Sequence, residues 1–158
     1  MTNESKESFL ADQVHALATI VLTRRRDLTV VETRNHTGLD FHVYIEREDK
    51  PMRLMFGVLL RGVPSPTAPE QAAGLLGPTM GQFQGMRKFT YPVCLFFFTT
   101  RDERAYFSWL AEPVVTDGAP KLVHHTRAHL VPLTDDYLDG ILQQIVAWYD
   151  AVEVVLIS

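Results

Sequence analysis

The sequence predicts an α/β fold in which a mixed central sheet of five or six strands is flanked by helices. Apolar residues follow helical spacing near both ends of the chain, over residues 9–21 and 138–149. Apolar and polar residues alternate over 39–46, as in a strand with one packed face. Two nearly continuous apolar runs, 52–63 and 91–100, are typical of central strands covered on both faces.

Length and composition indicate one domain that spans residues 1–158. The chain has 158 residues, of which 46% are hydrophobic and 22% charged, enough for one well-cored domain and too few for two. A formal net charge of -4 argues against a protein coated in basic surface for non-specific nucleic-acid binding. A local basic patch remains compatible with that charge.

Cysteine usage and hydropathy lead us to expect a cytoplasmic protein. The one cysteine, Cys94, lies in an apolar run, so a small buried thiol is favoured over a nucleophile or metal ligand. The N-terminal residues are polar and lack a basic segment followed by an apolar run. No stretch is expected to reach membrane-spanning length, so we expect neither secretion nor a membrane partner.

The first helix is predicted to begin near Thr2 or Asn3 and to end near residues 24–27. The strand that follows, residues 28–33, is rich in β-branched residues. A turn at residues 36–38 then leads to the alternating strand, whose pattern assigns Leu39, Phe41, Val43 and Ile45 to one packed face and Asp40 to the polar face.

The second half is predicted to alternate between loops, strands and helices. Residues 64–69 read as a loop in which Thr67 caps a helix over 70–76, and residues 80–89 form either a short helix or a mobile flap. Further strands are predicted over 91–100, 105–115 and within 121–132. Thr134 is predicted to cap the last helix, whose buried stripe comprises Leu138, Ile141, Leu142, Ile145, Val146 and Tyr149.

Two short motifs carry a resemblance to a known family. Gly38-Leu39-Asp40 opens one strand, and Val58-Leu59-Leu60-Arg61 lies near the end of the next. Together they resemble the core of the PD-(D/E)xK nuclease-like superfamily, in particular a bacterial domain of unknown function. Pro92-Val93-Cys94-Leu95 and Tyr106-Phe107-Ser108-Trp109 match later strands of that family and extend the resemblance across most of the chain. The resemblance implies a restriction-endonuclease-like core.

The resemblance also implies a site that has lost part of its chemistry. In active members an Asp and a Glu or Gln hold a divalent metal ion while a Lys orients or activates water. Asp40 keeps the first position, and Leu59 stands at the second without a donor atom. Arg61 keeps the positive charge but cannot deprotonate in the working pH range, so it would be vestigial. Asp40 is then the metal-ligand candidate, with Mg²⁺ or Mn²⁺ as cofactor if the domain is active and none expected otherwise.

Two other carboxylates could replace the missing ligand. Glu7 lies on the stripe of the first helix that faces the sheet, where a Glu often completes the site in this superfamily, although the helix dipole favours an acid there at any surface. Glu32 lies in the first strand, from which a migrated carboxylate could reach Asp40. The helix-dipole interpretation is favoured for Glu7, and that of a solvated edge residue is favoured for Glu32.

Basic residues and histidines offer further candidates. Arg24, Arg25 and Arg34 could hold nucleic acid beside Arg61, although the arginines near residue 25 also suit the negative end of a helix dipole. His36 and His42 flank Asp40 and could act as ligand or base, but a turn and a half-buried sheet position are favoured. His124, His125 and His129 cluster in sequence and could suggest a zinc site. Such a site is disfavoured, because no Cys, Asp or Glu lies nearby in sequence.

Two functions follow from these residues. The favoured one is a catalytically degenerate nuclease-like domain that binds nucleic acid or a partner protein. The alternative is an active metal-dependent nuclease that uses Asp40 with a migrated carboxylate, Glu32 or Glu7. The ligand count favours the first, because one Asp without a second in-line carboxylate is a poor magnesium site.

Overall fold

The computed structural model describes residues 3–33, 38–48, 54–85 and 89–157. In these ranges the chain forms four helices and seven strands. They are, in chain order, α1 (Asn3–Thr23), β1 (Leu28–Glu32), β2 (Phe41–Ile45), β3 (Leu54–Val63), α2 (Pro69–Leu75), α3 (Gly77–Gly85), β4 (Val93–Thr99), β5 (Arg104–Thr116), β6 (Ala119–His124), β7 (Val131–Pro132) and α4 (Asp135–Ile157).

The strands form one mixed sheet, which confirms the predicted α/β class. They lie in the order β1-β2-β3-β4-β5-β6, and the short β7 pairs with β5. Neighbouring strands are antiparallel except β3 and β4, which are parallel because α2 and α3 cross over between them. The strand count exceeds the predicted five or six because residues 119–132 contribute both β6 and β7.

Helices cover both faces of this sheet, so β3 and β4 are buried on both sides as predicted for central strands. Side chains from α1 and α4 pack on one face, and those from α2 and α3 pack on the other. Alternate residues of β4 enter the two cores: Cys94, Phe96 and Phe98 meet α1 and α4, whereas Val93, Leu95 and Phe97 meet α2 and α3. The thiol of Cys94 is buried, as expected.

The predictions for the two long helices are confirmed. In α1, Val14, Ala18 and Leu22 are buried against the sheet. The Oγ1 atom of Thr134 accepts the N–H of Tyr137 at 3.1 Å, so Thr134 caps α4. The predicted stripe of α4 is buried at Leu138, Ile141, Leu142 and Ile145 and partly buried at Val146 and Tyr149, and Trp148 adds to it.

One expectation about hydropathy is wrong. By length and composition α4 is apolar enough to cross a bilayer, although we expected no stretch to reach that length. The side chains on its inner stripe pack on the sheet, as those of a core helix do.

The segment between β3 and β4 differs from its prediction at the start. Ala68 is the N-cap residue of α2 and Pro69 occupies its first turn, so Thr67 is not the cap. The hydroxyl of Thr67 donates instead to the carbonyl oxygen of Ser65 at 2.9 Å. Residues 77–85 form the helix α3, which buries Met80 and Phe83 in the core below it rather than forming a flap.

The prediction that Leu39 shares one packed face with the apolar residues of β2 is wrong. Phe41, Val43 and Ile45 enter the core under α1 and α4, but Leu39 enters the core under α2 and α3. The ladder is irregular at this point, because the N–H of Asp40 donates to Val58 although Val58 lies opposite Phe41. Leu39 packs over Gly57, where a Cβ atom would lie 2.5 Å from the Leu39 Cδ1 atom.

Candidate functional site

A pocket of about 390 Å³ opens where β2 begins and β3 approaches its end. Residues of the N-terminal half of α1 and residues 60–62 of β3 line it. Asp40, which directly precedes the first residue of β2, also lines it. The lining residues are Glu7, Leu10, Ala11, Asp12, Val14, His15, Asp40, Leu60, Arg61 and Gly62.

Asp40 is held by three hydrogen bonds that belong to the sheet. Its N–H donates to the carbonyl oxygen of Val58 at 2.9 Å, and its own carbonyl oxygen accepts the N–H of Thr33 at 3.1 Å. The carboxylate oxygen Oδ2 accepts the N–H of Leu60 at 2.7 Å. β3 runs on past the start of β2, so the Asp40 side chain supplies a partner that the neighbouring strand does not. A hydrogen bond to an ionised acceptor is stronger than a neutral one.

Arg61 lies close to this carboxylate, as the register of the two predicted strands requires. Its Nη1 atom is 4.0 Å from Asp40 Oδ2, at the outer limit of an ion pair, and the two side chains are 37% and 41% exposed. The same Nη1 donates to the carbonyl oxygen of Leu60 at 2.7 Å, and Nε donates to Thr79 Oγ1 at 3.3 Å. Neutral oxygens of β3 and α3 therefore hold the guanidinium beside Asp40.

Leu59 does not line the pocket, although it lies on the same face of β3 as Arg61. Its side chain is 2% exposed and packs in the core under α2 and α3, whereas Leu60 packs on the α1 side. Successive residues of a strand point to opposite faces, so a ligand at position 59 would enter that second core.

The structure separates the two candidate replacement carboxylates. Glu7 lines the pocket with Asp40 and is solvent-exposed. Glu32 is paired with His15, whose Nε2 lies 2.9 Å from Glu32 Oε1, and Glu32 does not line the pocket. Sequence reasoning missed Asp12 and His15, which also line it. Glu7 and His15 are eight residues apart, about two helical turns, and this spacing could have placed His15 on the same face.

The motif positions 40 and 59 offer few ligands for a divalent metal ion. Mg²⁺ binds through several oxygen ligands in near-octahedral geometry. Leu59 offers none, and one oxygen of Asp40 is occupied by the Leu60 N–H. Within the described parts of the chain, no three His, Cys, Asp or Glu side chains are arranged to hold a metal ion.

The candidate phosphate-binding arginines are engaged by carboxylates. Arg24 Nη2 lies 2.6 Å from Asp135 Oδ1. Arg25 donates through Nε and Nη2 to Asp27, at 3.0 Å each, and through Nη1 to Asp139. The hydrogen bond with Asp27 is the main cause that raises the pKa of Arg25. Arg34 lies outside the described residues.

Arg25→Ala is expected to lower the free energy of unfolding by about 1 kcal/mol, because it removes hydrogen bonds that join the end of α1 to α4. Arg24→Ala is the matched control, since the exposed Arg24–Asp135 pair should contribute less than about 0.5 kcal/mol. Urea denaturation measures both. Equal losses would contradict a structural role specific to Arg25.

The described side chains of the predicted histidine cluster contact different residues. His125 Nε2 lies 2.8 Å from Glu112 Oε1, and Gln144 donates to the other oxygen of Glu112 at 3.1 Å. We expected no acidic residue close to His125 in sequence. The fold nevertheless brings Glu112, from 13 residues away, into contact with it. The ring of His124 stacks on Phe83.

Of the two histidines that flank Asp40 in sequence, the structure describes only His42. His42 is half-buried, as predicted, and its Nε2 lies 3.2 Å from the hydroxyl of Tyr91. Burial lowers the pKa of His42, which favours its neutral form. His36 lies outside the described residues.

Comparisons with known proteins add no identification. No protein-family model, curated protein or solved structure matches this chain. The chemistry proposed for the pocket therefore depends on its own residues.

Proposed function

We propose that this chain is a catalytically inert, nuclease-like domain that works by binding a partner protein. The observation that carries the proposal is the engagement of Asp40. Its carboxylate accepts the Leu60 N–H at 2.7 Å and faces the Arg61 guanidinium at 4.0 Å. A carboxylate in this position accepts a β3 backbone N–H beyond the start of β2, and the nearby cation opposes the approach of a metal ion.

The ion pairs of the candidate arginines favour a protein partner over nucleic acid. Arg24 and Arg25 are each paired with carboxylates, so binding phosphate would require breaking those pairs. The pocket beside Arg61 carries the carboxylates of Glu7, Asp12 and Asp40. These charges repel a phosphate backbone.

The proposal predicts that the purified protein neither cleaves nor binds nucleic acid. DNA and RNA should remain intact with Mg²⁺ or Mn²⁺, because position 59 offers no ligand and Arg61 cannot act as a base. Fluorescence anisotropy at low salt should detect no binding to labelled DNA or RNA. A known nuclease and a known nucleic-acid-binding protein serve as positive controls. Binding that weakens steeply with salt would favour the nucleic-acid alternative.

An active nuclease that uses Glu7 is the second candidate. Glu7 and Asp40 line the same pocket, which is the arrangement a migrated ligand would need. Metal-dependent cleavage that disappears in both Glu7→Gln and Asp40→Ala would establish this candidate. Cleavage that persists in both variants would point to a contaminating nuclease.

A further inference from the structure

Among the described residues, the end of β3 has no neighbouring strand on the side where β2 lies. The carbonyl oxygen of Val58 accepts the N–H of Asp40, and the N–H of Leu60 donates to the Asp40 carboxylate. Even-numbered residues of β3 therefore direct their backbone groups to this side. The carbonyl oxygen of Leu60 is engaged as well, because it accepts Arg61 Nη1 at 2.7 Å. Gly62 is next in this series, and its N–H and C=O groups make no hydrogen bond on this side with another residue that the structure describes.

Gly62 lines the candidate pocket together with Leu10 and Val14 of α1. A Cβ atom at position 62 would lie 2.6 Å from Val14 Cγ2 and 2.7 Å from the carbonyl oxygen of Phe98, so glycine allows α1 to pack directly over β3. The pocket volume of about 390 Å³ is in the range of ligand-binding pockets. The pocket therefore offers a backbone donor and a backbone acceptor beside apolar side chains.

The charges of the pocket select the ligand. The carboxylates of Glu7, Asp12 and Asp40 line it. Arg61 and His15 also line it, so carboxylates outnumber the groups that can carry positive charge. A basic side chain is attracted to such a pocket, and an acidic side chain is repelled.

We propose that the pocket binds an extended segment of a partner protein, which pairs antiparallel with β3 in line with β2 and sets a Lys or Arg opposite Gly62. Residues directly opposite in such a pair exchange two hydrogen bonds and direct their side chains to the same face. Gly62 shares the α1 face of β3 with Leu60. The basic side chain therefore extends towards Glu7 and Asp12, and the backbone pairing is that of strand addition. This inference rests on the proposed function and specifies the chemistry of the partner.

The test titrates two peptides into the isotope-labelled full-length chain and follows the amide resonance of Gly62 by NMR. The probes are acetyl-Thr-Val-Arg-Val-Thr-amide and the same peptide with Glu at its centre. We expect the arginine peptide to shift the Gly62 amide saturably in roughly the millimolar range, and the glutamate peptide to leave it unchanged. Methylation of the backbone nitrogen of the central arginine should abolish the shift, since it removes the donor to the Gly62 carbonyl oxygen.

Glu7→Gln and Asp12→Asn should each raise the dissociation constant of the arginine peptide by about threefold, because each removes one exposed attraction. Glu70→Gln is the matched control, since it neutralises an exposed carboxylate outside the pocket and should leave the constant unchanged. Equal binding of the two peptides would overturn the proposal, as would an arginine peptide that leaves the Gly62 amide unshifted. Those results leave the proposed function intact, whereas cleavage or binding of nucleic acid would overturn that function.

Discussion

Leu59→Glu is expected to lower the free energy of unfolding by about 4 kcal/mol, or to prevent folding. Leu59 is 2% exposed and packs in the core that α2 and α3 cover. The substitution removes apolar contacts and places a carboxylate in an apolar core. Urea denaturation measures the loss, and Leu59→Met is the matched control because it nearly conserves volume and should cost less than about 1.5 kcal/mol.

Adding Arg61→Lys to Leu59→Glu introduces the acidic and basic residues that active members of the PD-(D/E)xK superfamily carry. We expect this double variant to remain as unstable as Leu59→Glu, with or without Mn²⁺, because residue 59 packs in the core under α2 and α3 and does not line the pocket with Asp40. Mn²⁺ that restored its stability would show that the glutamate reaches Asp40. That result would contradict the geometry of the site described above.

Asp40→Ala is expected to lower the free energy of unfolding by about 2 kcal/mol. It leaves the N–H of Leu60 without its 2.7 Å partner at the start of β2. Asp40→Asn is the matched control, because its amide oxygen can still accept this N–H and the loss should stay below about 1 kcal/mol. Arg61→Gln should also cost less than about 1 kcal/mol, since its 4.0 Å pair with Asp40 is well exposed to solvent. If the alanine and asparagine variants are equally stable, Asp40 does not act through this hydrogen bond.

The elements with strong local patterns were predictable from the sequence. The apolar residues of α4 keep helical spacing over several turns, and β4 is a continuous apolar run. In both elements the sequence pattern therefore predicts the side chains that are buried. The face of Leu39 could not be predicted, because an irregularity in the ladder shifts alternation by one residue without a marker in the sequence. Thr67 failed as a cap because Pro69 is suited to the first turn and sets the start of α2 at Ala68.

The candidate site was predictable only where strand register determines proximity. Asp40 and Arg61 meet because they belong to the ends of neighbouring strands. Other contacts of the candidate residues come from distant segments: Thr79 holds Arg61, His15 pairs with Glu32, and Asp139 binds Arg25. No local pattern marks such pairs, since tertiary packing alone brings them together.

The central claim is that Asp40 completes the sheet and does not hold a metal ion. The most direct measurement is urea unfolding of the wild type and Asp40→Ala, each with and without Mn²⁺. A metal ligand would make Mn²⁺ stabilise the native state in proportion to its binding. We expect Asp40→Ala to unfold at lower urea than the wild type, and Mn²⁺ to leave both midpoints unchanged. A wild-type midpoint that rises with Mn²⁺, while that of Asp40→Ala does not, would contradict the claim.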